Sequence, residues 1–278
     1  MTRGLFSKIS FDLSGLMMHL NGLPAALGER LGADWKPFRV ERHRSGFLNV
    51  GVEVEPGGSS GRGRDPWAIE AEYFSGGARY EMKEGLVEVM EGGEARVVLR
   101  ADEGDRPYYA LQNLLRAALA WRMPSRGGAF LHSAGIVLDG NAFLLVGPGG
   151  SGKSTWALLG EAAGALVLSD DVVLLDGEGG RPEALGAPFR SSHPTALGPG
   201  RWPLKAILFP AHGDDPQLDP VTKMEARGRV LANLPFVAEA FGEDSRIAGV
   251  IEGLLEAVPA RRLTFSLDQR FTDVIRDL

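Results

Sequence analysis

The chain has 278 residues, room for one large domain or two smaller ones, and 44% hydrophobic with 24% charged residues is ordinary globular composition. A net charge of -6 speaks against a general nucleic-acid or membrane-surface binder. Cysteine is absent, which excludes disulfides, thiol catalysis and cysteine-based zinc sites, and the five histidines are scattered without ligand spacing.

No apolar run reaches the roughly 20 residues that a spanning helix needs, and "MTRGLFSKISFDLSG" lacks the apolar stretch of a signal peptide. The expected setting is therefore cytoplasmic. Residues 1–105 read as short strands and turns. In "FLNVGVEVE", Leu48, Val50, Val52 and Val54 alternate with period two, as in a half-buried strand. "PGGSSGRGRDP" reads as a flexible loop, and "RVERHR" (39–44) as a solvated basic edge. "ARYEMKEGLVEVMEGGEARVVLRA" reads as strands divided at Gly85 and Gly92-Gly93. The expectation is a small, β-rich, mostly antiparallel N-terminal domain with a possible recognition role.

Residues 106–124 read as a connecting helix. Leu111, Leu114, Leu115, Ala118 and Leu119 share one face, and Pro124 with Gly127-Gly128 stops it. From 125 to 278 the texture changes. "AFLHSAGIVLDG" and "AFLLVG" read as strands joined by a tight Asp-Gly turn, which favours an antiparallel hairpin. "STWALLGEA" reads as a helix, "ALVLSDDVVLLDG" and "PLKAILF" as strands, 222–241 and 244–257 as helices, and "RRLTFSL" as a late strand. The expected fold is α/β with α+β character, its core sheet mixed and largely antiparallel, unlike a Rossmann sheet.

"GPGGSGKST" carries the chemistry. Gly147, Gly152, Lys153 and Ser154 meet every fixed position of GxxxxGK[ST]. Gly147, Gly149, Gly150 and Gly152 let the loop fold back so that its amides, with those of Ser151 and Thr155, converge on phosphate oxygens. The helix that follows turns its positive end to the same anion. Lys153 adds a mobile charge, and the Ser154 hydroxyl is a Mg²⁺ ligand. The pattern calls for ATP and Mg²⁺.

Asp170 and Asp171 interrupt an otherwise buried strand. Paired carboxylates there are costly unless a cation or donor holds them. Strand alternation sends them to opposite faces and to different jobs, Asp170 or its neighbour facing the metal. The alternative is a bulge or strand end with both acids solvated. His132, alone, reads as a satisfied core histidine. Arg190 and His193 lie in "GAPFRSSHP", where Arg190 either neutralises phosphoryl charge or decorates a surface turn. Arg227 and Arg229 read as exposed helix charges.

In its order of motifs the chain resembles the HPr kinase/phosphorylase family, whose ATP-binding core is shared with phosphoenolpyruvate carboxykinase. His132 lies 15 residues before Gly147, and Asp170-Asp171 lie 16 and 17 residues after Ser154. "LGAPF", "PLKAILF", "NLPFV" and "VPARRLTF" are also similar to segments of HPr-kinase-like proteins. The resemblance covers 125–278. It implies that Lys153 binds the β- and γ-phosphates, that Ser154 and one carboxylate position Mg²⁺, and that Asp171 takes the proton of an acceptor serine beside His132. Thr155 stands where HPr kinases usually carry an acid, and the long basic HPr-binding segment has no counterpart. The implied activity is serine kinase activity on a small protein or peptide. A nucleotide-binding regulatory module without transfer, and a small-molecule kinase, are the alternatives. Oligomer formation is left open.

Overall fold

The computed structural model describes residues 6–41, 45–56, 69–101, 106–189, 198–237, 240 and 244–278. Mixed α/β in character, the chain forms two compact units, Met1–Arg122 and Met123–Leu278, with six helices among the described residues.

The first unit holds β1 (Phe6–Leu13), β2 (Leu16–Pro24), α1 (Ala25–Asp34), β3 (Arg39–Val40), β4 (Leu48–Pro56), β5 (Glu70–Phe74), β6 (Gly77–Met82), β7 (Gly85–Met90), β8 (Glu94–Ala101) and α2 (Arg106–Arg122). The strands make one sheet in the order β3-β1-β2-β4-β8-β7-β6-β5. Only β2–β4 and β4–β8 pair in parallel, so the sheet is mostly antiparallel, as the glycine-punctuated sequence suggests. In β4, Leu48, Val50 and Val52 are buried and Gly51 and Glu53 exposed, the period-two pattern of a half-covered strand, but Val54, expected on the same buried face, is exposed. The apolar face of α2 lies on β6, β7 and β8, and all five of its expected face residues are buried.

Helix α1 corrects the reading of this region as strands and turns alone. Its burial rests on few side chains, chiefly Leu31, with Trp35 just beyond its end meeting Phe11 edge-on at 5.0 Å. Ten residues with three glycine or aspartate positions carry little helical periodicity of their own. Packing on β1 and β2 holds them instead.

The second unit holds β9 (Ala129–Leu138), β10 (Asn141–Val146), α3 (Lys153–Ala162), β11 (Leu166–Ser169), β12 (Val172–Asp176), β13 (Glu183–Leu185), β14 (Arg201–His212), β15 (Gln217–Pro220), α4 (Lys223–Leu231), α5 (Ser245–Ala257), β16 (Ala260–Phe265) and α6 (Phe271–Arg276). The hairpin of β9 and β10 turns at Asp139 and Gly140, both with positive φ, as a two-residue turn of this hand requires. The sheet runs β10-β9-β12-β13-β14-β16-β15, β11 also bonds β9, and β14 pairs back onto β10. Among the described residues, parallel pairing occurs only at β10–β14 and β14–β16, so this sheet too is mixed and largely antiparallel.

Its core lies behind the glycine loop. Trp156 and Ala157 of α3 pack with Ile136, Leu145, Leu208 and Phe271, all but wholly buried. Each large apolar side chain so covered contributes about 1.5–3 kcal/mol. The helix expected over 222–241 stops at Leu231. Thr222 caps its start by accepting from the Glu225 amide at 3.1 Å, and Pro235, which disfavours helix at the residue before it, prevents continuation.

Candidate active site

Strand β10 ends at Val146, and the chain folds through 147–152 into α3. Gly150 (φ 75°) and Gly152 (φ 91°) take left-handed conformations that a side chain would strain. The Trp156 amide donates to the Gly152 carbonyl at 2.8 Å, so the helix begins at Lys153. Because Trp156 and Ala157 point into the core, Ser154 and Thr155 are left exposed on the side of the loop. Lys153 is 6% exposed, and its ammonium donates to the carbonyls of Gly147 (2.7 Å) and Pro148 (2.9 Å). Burial pushes its pKa below the ordinary lysine value, and the nearby Asp171 carboxylate offsets part of that shift. The Ser151 hydroxyl is buried with no hydrogen-bond partner. The Ser151 amide, expected to face a phosphate, donates to the Pro148 carbonyl at 3.3 Å. A glycine loop at a helix start, with a lysine and an unsatisfied hydroxyl, fits a polyphosphate.

The acids stand across from this loop. The continuous strand expected through "ALVLSDDVVLLDG" is two strands, β11 and β12, separated at Asp170 and Asp171. The register against β9 slips between Val167 and Ser169, which is a bulge. The Ser169 hydroxyl fastens it by accepting from the amides of Asp171 (3.2 Å) and Val172 (3.1 Å), and the Ser133 amide donates to the Asp171 carbonyl at 3.0 Å. The bulge breaks the period-two alternation. The pair follows a bulge, as the alternative reading had it, and both residues line one hollow.

That hollow has a volume of about 360 Å³ and is lined by His132, Gly149, Gly150, Gly152, Lys153, Ser154, Thr155, Asp170 and Asp171. Asp170 is nearly enclosed, at 4% exposure. His132 Nδ1 lies 3.4 Å from Asp171 Oδ1, both side chains being partly open. His132 is held because β10 departs for the glycine loop after Val146, opposite Ser133. The next β9 amide, that of His132, donates instead to the Asn233 carbonyl at 2.8 Å. Ser154 and Asp170 line the same hollow, and their oxygens are donors of the hard type that could hold Mg²⁺. Among the described residues no group of three or more acids and histidines forms a metal cage. Mg²⁺ bound with substrate phosphates needs only one or two protein ligands.

A second hollow of about 460 Å³ adjoins the first at Gly152 and Thr155, and its other walls are His212, Gly213, Asp214, Phe265, Ser266 and Leu267. The rings of His212 and Phe265 lie 6.1 Å apart, on residues paired across the parallel strands β14 and β16. Ser266 donates to Asp268 at 2.8 Å, and hydrogen bonds from Arg270 and Ser266 hold the Asp268 carboxyl down to about 2. Sequence reasoning missed this hollow, because no local pattern ties residue 212 to 265. Arg190 and His193 lie outside the described residues. Arg227 pairs with Glu252 (3.2 Å) and Arg229 with Glu225 (3.0 Å), as exposed helix charges do.

No protein family profile matches the chain, and no curated protein does. Among solved structures it is similar to the HPr(Ser) kinase/phosphatase from Coxiella burnetii, at 11% identity. The match covers 53% of this chain and 91% of that one, with a TM-score of 0.28. A likeness of that order carries no functional assignment.

Proposed function

We propose that the chain is an ATP- and Mg²⁺-dependent kinase of HPr-kinase-like type, moving the γ-phosphate to a hydroxyl, that of a serine in a small protein or peptide. What carries the reading is the single hollow in which the glycine loop, Lys153 and Ser154 meet Asp170, Asp171 and His132. A site that only held a magnesium nucleotide would use one carboxylate on the metal, and would have no use for the second, Asp171, beside His132.

The roles follow from position. Loop amides and Ser151 receive the phosphate oxygens, and Lys153 exchanges its contacts with Gly147 and Pro148 for the β- and γ-phosphates. Ser154 and Asp170 hold Mg²⁺, which when bound neutralises phosphate charge. The apolar floor of the adjoining hollow, Phe265 and Leu267 beside His212, suits a base. Asp171 takes the proton from the acceptor hydroxyl as its oxygen bonds to the γ-phosphorus. The bond to the bridging oxygen breaks, and ADP leaves. His132 stays against Asp171 and orients that carboxylate. Arg190 is assigned to charge neutralisation on the transferring group. A recognition role for the N-terminal region belongs to the same proposal.

The test is transfer of label from γ-labelled ATP to serine-containing peptides and to a lysate. The wild type should label a protein or peptide acceptor as phosphoserine, and Asp171→Asn should not. Label released only to water, or acceptor labelling that persists in Asp171→Asn, overturns the reading.

A further inference from the structure

The first unit contains a carboxylate whose burial its fold does not explain. Glu84 closes the two-residue turn between β6 and β7, where an acid is ordinarily solvated, yet it is 9% exposed. The turn's backbone is well fastened. The Arg100 amide donates to the Glu84 carbonyl at 2.8 Å, and the Arg100 guanidinium donates to the Met82 carbonyl at 3.0 Å. The carboxylate is not. Its Oε2 is sealed from solvent and receives no hydrogen bond. Such an oxygen is expensive to keep, and the carboxylate it belongs to borders a hollow from which a donor can come.

Glu84 forms part of the wall of a hollow of about 290 Å³. Lys83 and Arg106 also line it, and the remaining surface, from Met82, Tyr109, Ala110 and the polar Asn113, is largely apolar. The charges discriminate between ligand classes. A simple anion would meet Glu84. A metal cation would find one carboxylate and two competing cations. A molecule carrying an ammonium and a carboxylate on one carbon, with an apolar group beside them, matches the acid, the two cations and the apolar surface together. The volume is at the small end of ligand sites and suits a single residue.

We propose that this hollow binds a free α-amino acid with an apolar side chain. Its ammonium bonds Glu84, its carboxylate faces Arg106 and Lys83, and its side chain lies on Met82, Ala110 and Tyr109. Nothing here depends on the kinase reading, since the site lies wholly within the first unit and is assayed by binding alone.

The experiment is isothermal titration of the full chain, without nucleotide, with L-leucine, L-methionine and L-phenylalanine. N-acetyl-L-leucine, which lacks the ammonium, and L-leucinamide, which lacks the carboxylate, serve as controls. At least one free amino acid should saturate a single site, and both capped forms should fail. Glu84→Gln should weaken binding by about 10-fold or more, the usual effect of removing a buried charged hydrogen bond. Arg106→Gln, at the exposed start of α2, should weaken it while leaving the fold intact by circular dichroism, and provides the decisive arm if Glu84→Gln misfolds. Absence of saturation by all three, equal binding of the capped forms, or wild-type affinity in the folded variants overturns the proposal.

Discussion

Strand β12 carries acids at both ends, and the two ends are treated differently. At its far end Asp176 is wholly buried, gripped by Arg126 through two hydrogen bonds (3.0 and 2.8 Å) and by Arg201 at 2.8 Å. Burial pushes its carboxyl up, but the arginine hydrogen bonds and the Glu178 amide outweigh that and hold it below the ordinary 3.8. At the near end Asp170 and Asp171 line a hollow shared with Lys153. One end is an ion cluster closed by guanidinium groups. The other borders a hollow, with Asp170 nearly enclosed and Asp171 partly open. On the proposed function, the same residue type is structural at one end and chemical at the other, according to what surrounds it.

The contrast can be broken first at the near end. Asp171→Asn should lower acceptor phosphorylation by about 100- to 10,000-fold, the range for losing a general base. Its denaturant midpoint should stay close to the wild type. An equal loss of stability would make Asp171 a structural acid like Asp176. At the far end the pattern should invert. Asp176→Ala leaves two part-buried guanidinium groups without their carboxylate and should cost about 3–5 kcal/mol in urea unfolding, while nucleotide affinity of the folded fraction holds. Because the folded-state pKa of Asp176 is depressed, its stabilisation is present above 3.8 and is lost as pH falls through the lower folded value. The difference between wild type and Asp176→Asn should therefore close only in that acid range.

A smaller effect is expected in the loop. Gly152→Ala must adopt φ near 91° with its methyl 3.4 Å from Phe265, and should cost about 1–2 kcal/mol, read as weaker nucleotide binding and a lower Tm. The smallest is a pH shift. Lys153 titrates below 10.5, so nucleotide affinity should begin to fall at a lower pH than a free lysine would dictate. Lys153→Arg, which keeps its charge, should lose that alkaline fall even if its affinity is reduced.

Much of this was legible beforehand, and unevenly. The hairpin of β9 and β10, the glycine loop and the buried face of α2 follow from contiguous signals: an Asp-Gly turn, a phosphate-loop spacing, apolar residues three and four apart. Helix α1 and the early end of α4 were not legible, since each depends on a few residues held by distant packing or stopped by Pro235. The acid pair was found, with the bulge before it only as one of two readings. Its residue types interrupt an apolar run visibly, whereas the bulge depends on the Ser169 hydroxyl and on register against β9.

The glycine loop, Lys153 and Ser154 were determined by the sequence alone, because a phosphate cradle is made of consecutive backbone groups and needs only local conformation. Tertiary structure decided what faces it. Long-range strand pairing put Asp170 and Asp171 beside one hollow, set His132 3.4 Å from Asp171, and brought His212 to Phe265. Packing of α2 on the first sheet likewise enclosed Glu84 beside Arg106. Strand register and helix docking are set by how side chains fill space between distant segments, and no short stretch of sequence encodes that by itself.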